Sequence, residues 1–110
     1  MIKKISTTGK FRVFLVVART LNRHGIIPAI YGSLGVYRIL PRLADVNDID
    51  IVVPDIYLGS RFSVLVQAMA QAGFRRDAKY PHEFTNGRIN IGCEPAGELR
   101  AYAGVLYRTF

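Results

Sequence analysis

Apolar residues recur at Phe11, Phe14, Leu15, Ala18 and Leu21, the three-and-four spacing of a helix lying on a core. The pattern predicts a helix over 9–24, with Lys10, Arg12, Arg19 and Arg23 at its polar positions and His24-Gly25 as its stop. Ile26 to Tyr31 then reads as a buried strand, with Pro28 near its beginning or on an edge. Ser33 can cap a short helix over 34–40 that Pro41 ends, and 41–47 is a loop. Asp48 to Val53 is a second strand closed by Pro54. A second long helix fits 57–72, where Leu58, Phe62, Leu65, Val66 and Met69 form the apolar stripe and Gly73 the stop.

Phe74 to Arg76 reads as a short strand, followed by a hairpin of 82–85 and 88–91 around Asn86-Gly87. Asn-Gly favours a two-residue turn because both positions need positive φ. That turn sets Thr85 opposite Arg88, Phe84 opposite Ile89 and Glu83 opposite Asn90. A weaker helical pattern returns over 99–106. Helix, strand, short helix, strand, long helix and hairpin together predict an α/β (α+β) fold, a mixed sheet packed with helices in one small domain, 1–110. No glycine-rich turn of the dinucleotide-binding kind follows the first strand.

Alternation along a strand puts Asp48 and Asp50 on one face, with Ile49 and Ile51 on the other. Two carboxylates a few ångströms apart repel each other unless a cation lies between them. The Gly32-Ser33 turn beside them therefore points to a magnesium site facing a phosphate. Gly32 lets a phosphate approach the backbone, and Ser33 offers a hydroxyl and a helix start.

With 110 residues, 50% hydrophobic and 21% charged, the chain fits one globular domain and not a disordered one. The apolar stretch Phe11 to Ala18 is interrupted by Arg12 and is too short to span a bilayer, so no membrane partner is expected. The single cysteine, Cys93, excludes an internal disulfide and fits a cytoplasmic location; it is expected in the core. A net charge of +7 favours an anionic partner. The basic residues are scattered along the chain, so a nucleic-acid face ranks lowest.

The run Ile30-Tyr31-Gly32-Ser33 to Leu40, followed by Asn47-Asp48-Ile49-Asp50-Ile51-Val52-Val53, resembles the nucleotidyltransferase superfamily with its polymerase-beta-like palm. Its spacing is similar to that of the antibiotic nucleotidyltransferases, and the resemblance covers about residues 25–94, taking in Pro81-His82-Glu83-Phe84. It implies Mg²⁺ held by Asp48 and Asp50, a nucleoside triphosphate on Gly32 and Ser33, and Arg38 facing phosphate. It also implies transfer of a nucleoside monophosphate to a hydroxyl of a small-molecule or protein acceptor. Active members usually carry a third carboxylate on a later strand, where this chain has Asn90; a neutral amide cannot serve as a general base.

Glu83, as the cross-strand neighbour of Asn90, can supply the missing charge or form a surface pair with Arg88; Glu94 is a weaker substitute. His82 is expected half-buried. Antibiotic-modifying relatives add residues after the palm, so a missing C-terminal extension is one expectation. Others are a helical partner, as in the minimal nucleotidyltransferases, or a homodimer through Leu99, Tyr102, Ala103 and Leu106. The alternative function is a catalytically degenerate nucleotide-binding or regulatory module on the same fold.

Overall fold

Helix α1, Thr7–Arg23, sets Phe14, Val17, Ala18 and Leu21 against the core while Arg12, Arg19 and Arg23 stay in solvent. It ends as its sequence anticipates. Gly25 takes φ 77°, and the Leu21 carbonyl accepts from both His24 N–H (2.9 Å) and Ile26 N–H (3.0 Å). Lys10 departs from expectation. It is fully buried in the first turns of α1 and not on a solvated face.

The computed structural model describes residues 7–31, 48–99 and 108–109, with side chains described over 9–30 and 49–97. The short helix expected over 34–40 and the stripe from Tyr102 to Leu106 fall outside them. After α1 come β1 (Ala29–Tyr31), β2 (Asp48–Val53), a 3₁₀ turn (Asp55–Leu58) and α2 (Phe62–Gln71). Then follow β3 (Arg75–Arg76), β4 (Glu83–Thr85), β5 (Asn90–Pro95), the one-turn α3 (Ala96–Leu99) and β6 (Arg108–Thr109).

Among the described residues the strands form one mixed sheet in the order β3-β4-β5-β2-β1-β6. β2 and β5 run parallel at its centre, and every other neighbouring pair is antiparallel. A parallel pair needs a crossover, and the segment carrying α2 supplies it. Ile49, Ile51 and Val53 of β2, Ile91 and Cys93 of β5, and Phe84 of β4 join α1 and α2 in one apolar core. Each large apolar side chain so enclosed stabilises the fold by roughly 1.5–3 kcal/mol.

Two expectations need correction. The helix expected over 57–72 is broken: Ile56 O accepts from Gly59 N–H (3.2 Å) and Arg61 N–H (2.9 Å), closing the 3₁₀ turn before α2 begins. A glycine at this point favours the break, since it costs about 1 kcal/mol relative to Ala inside a helix.

The β4–β5 register also differs by two residues. Thr85 pairs with Asn90, Phe84 with Ile91 and Glu83 with Gly92, so Glu83 does not oppose Asn90. The cause is Asn86. Its side-chain Oδ1 accepts from Arg88 N–H and Ile89 N–H, both at 2.8 Å, which lengthens the connection. Gly87 takes φ 92° and Asn86 keeps a negative φ, so a two-residue turn of the Asn-Gly type does not form.

Candidate functional site

A register error of two residues preserves the face of every side chain. Glu83 therefore still emerges on the face of Asn90, one row further along. In that row Glu83 of β4 pairs with Gly92 of β5, and Gly92 pairs with Asp50 of β2. Two carboxylates thus flank a residue with no side chain, across two strand spacings of about 9.5 Å.

Asp50 and Glu83 are half-buried, and both line a cleft of about 250 Å³. Glu94, two residues beyond Gly92, adds a third acidic wall. Gly92 is the floor: a Cβ placed there would meet Asp50 Oδ1 at 3.4 Å. The carboxylate therefore lies against the glycine, and a side chain at position 92 would narrow the space between the acids.

The rim is the β3–β4 connection, which also contributes Tyr80, Pro81 and His82. Asp77 organises it by accepting from Lys79 N–H (2.8 Å) and Tyr80 N–H (3.0 Å). These two bonds hold the Asp77 carboxyl below the usual carboxylate range. Asp77 N–H in turn donates to Glu83 O (2.8 Å), Glu83 N–H to Tyr80 O (3.1 Å), and Cys93 N–H to His82 O (2.9 Å). His82 is exposed and not half-buried, although its ring meets Phe62 edge-on with centroids 5.6 Å apart: one aromatic contact at the rim leaves most of the imidazole in solvent.

Cys93 reaches the cleft only from the core side. Burial, with a smaller contribution from the Glu94 charge, pushes its thiol up, away from nucleophilic use.

Not all the expected site residues are brought together. Asp48 is described through its backbone, which pairs with Asn90 at the start of the parallel β2–β5 ladder. Asn90 is exposed, one row outside the cleft walls. Gly32, Ser33 and Arg38 lie outside the described residues. Among the described residues, no three His, Cys, Asp or Glu side chains gather closely enough to hold a metal ion. No helix among them is long and apolar enough to cross a membrane.

Sequence reasoning missed Gly92, Tyr80 and Pro81. A signal for Gly92 was present, since a glycine inside a strand marks close approach of another group.

No protein-family model matches the chain. It is 31% identical over 98 residues to the uncharacterized protein YnaI of Bacillus subtilis (strain 168). That match covers 88% of this chain and 63% of YnaI, so the chain spans less than two thirds of its relative's length. Among solved structures it resembles the antibiotic-resistance factor ANT(2'')-Ia, an aminoglycoside nucleotidyltransferase. The TM-score is 0.62 at 21% identity, over 83% of this chain and 48% of the other. The chain has a nucleotidyltransferase-like fold.

Proposed function

We propose that this protein transfers a nucleoside monophosphate from a nucleoside triphosphate to a hydroxyl of a small molecule or protein, with magnesium. The observation that carries the reading is the row Asp50–Gly92–Glu83, two carboxylates opening on one cleft over a bare glycine floor. The donor set fits the ion, since carboxylate oxygens are the hard ligands that Mg²⁺ prefers. Asp50 would hold it, together with Asp48 from the same strand. When bound, it would neutralise charge on the phosphate oxygens.

The chain's own residues then have separable tasks. Gly32 and Ser33 would seat the triphosphate, with Arg38 turned to its charge. Glu83, across the cleft from Asp50, would accept the proton of the acceptor hydroxyl. That oxygen bonds to the α-phosphorus as the bond to the bridging oxygen breaks and pyrophosphate leaves. Most of the acceleration in such a step comes from alignment and fixed charge.

Incorporation of a labelled nucleotide, with parallel calorimetry of nucleoside triphosphate and magnesium, tests the reading. Asp48→Ala should abolish transfer, and a variant as fast as the parent would remove the assignment.

One observation favours a second reading. The β2–β5 register sets Asn90, a neutral amide, directly across from Asp48. A nucleotide-binding module without catalysis would show calorimetric binding and no incorporation with any acceptor.

A further inference from the structure

β3 lies at one edge of the sheet and is only two residues long, Arg75–Arg76, both exposed. Their faces are distinguishable. The Arg76 guanidinium sits 5.0 Å from the centroid of the Phe62 ring, so Arg76 is on the helix side. Successive strand residues alternate, which places Arg75 on the opposite face, that of Asp50 and Glu83.

The register agrees. Arg75 pairs with Thr85, Thr85 with Asn90, and Asn90 with Asp48, a row parallel to Glu83–Gly92–Asp50. Arg88 stands at the same end of the sheet, in the connection that Asn86 fixes, and it is exposed. Among the described residues neither Arg75 nor Arg88 has an ion-pair partner.

The cleft row is therefore acidic, and the outer end of its neighbouring row is basic. Cα of Arg75 is two strand spacings, about 9.5 Å, from that of Asn90. Sheet order separates the ligands. β1 lies on one side of β2, whereas β5, β4 and β3 lie on the other. If the triphosphate occupies the β1 side, as the proposed function has it, the β4–β3 side is left to the acceptor.

We propose that Arg75, with Arg88, forms an anion-binding subsite that selects a hydroxyl acceptor carrying a phosphate or carboxylate group. The inference rests on the nucleotidyl-transfer reading for the word acceptor, and on geometry alone for the anion. Guanidinium groups suit it because they present paired donors to planar or tetrahedral oxyanions. The anion would anchor one end of the molecule on the outer row while its hydroxyl reaches the carboxylates of the inner row.

The test is a titration of the protein with glucose 6-phosphate, glucuronate and glucose, followed by backbone amide and arginine Nε–H resonances. The two anionic sugars should give saturable shifts centred on Arg75, Arg88 and Asn90, and glucose none. Arg75→Gln should weaken both anions about tenfold, with amide resonances elsewhere unchanged as the check on folding. Equal binding of glucose, or an Arg75→Gln variant that binds like the parent, would overturn the subsite. Displacement of glucose 6-phosphate from Arg75 by a nucleoside triphosphate with magnesium would reassign the arginines to the nucleotide and overturn the acceptor role. Saturable anion binding with no nucleotide incorporation would instead remove the transfer reading and leave the anion subsite standing.

Discussion

The two faces of β2 and β5 divide the molecule's tasks. On the helix side Ile49, Ile51, Ile91 and Cys93 are shielded by α1 and α2, with Phe84 of β4 joining them. On the other side Asp50, Gly92 and Glu94 of the same strands, with Glu83, border an open cleft. Adjacent residues thus serve different ends: one face supplies the buried area that holds the sheet, and the other places charge where a ligand can reach it. The contrast teaches that stability and chemistry are separately mutable here, although their residues alternate along one backbone.

The sharpest way to break the contrast is on the core face. Phe84→Ala empties a fully buried ring site between the sheet and Phe62, and should cost about 3–5 kcal/mol of unfolding free energy by denaturant titration. A loss below about 1 kcal/mol would show that the core does not depend on β4.

The β4–β5 connection comes next. Asn86→Ala removes the acceptor of two backbone N–H bonds and should cost about 1 kcal/mol, with faster amide exchange at Arg88 and Ile89.

Acid should loosen the rim by less. The folded Asp77 carboxyl titrates below its unfolded counterpart, so its contribution is present above the unfolded value and fades as pH falls through the folded one. Amide shifts of Lys79 and Tyr80 should report that acidic midpoint, and a midpoint in the ordinary carboxylate range would deny the turn.

A small effect on stability belongs to the site face. Asn90→Asp, exposed but directly across from Asp48, should cost no more than about 1 kcal/mol, the scale of a like-charge cross-strand pair, and magnesium should reduce that cost. It should nevertheless raise nucleotide incorporation if the number of carboxylates limits transfer. Unchanged incorporation would favour Glu83 as sufficient, or the non-catalytic module.

Much of this was legible from residues. β2 begins and ends where the sequence places it, at Asp48 and Val53, because alternation there is strict and Pro54 closes it. α1 follows its apolar spacing, and Gly25 and Gly73 end α1 and α2 with positive φ as glycines at such positions do. Lys10 misled because a charged residue in a helix reads as solvated, and burial depends on neighbours remote in the chain. The β4–β5 register misled because a side-chain oxygen of Asn86 replaced a backbone acceptor, which dipeptide preferences do not encode. The pairing of Asp48 with Asn90 was illegible for a different reason: it is a contact between distant segments, set by the crossover through α2.

That last contact also governs when the site can exist. β2 and β5 are separated by about forty residues, and pairings across such distances form late because the intervening loop must first be closed. Local order in α1 and α2 can arise early and bring apolar surfaces together. Until β5 docks alongside β2, however, Asp50 has no glycine floor and Glu83 has no counterpart across the cleft. Assembly of the candidate centre is therefore bound to the slow, non-local stage of folding, and a chain arrested before it would keep helices while holding no site.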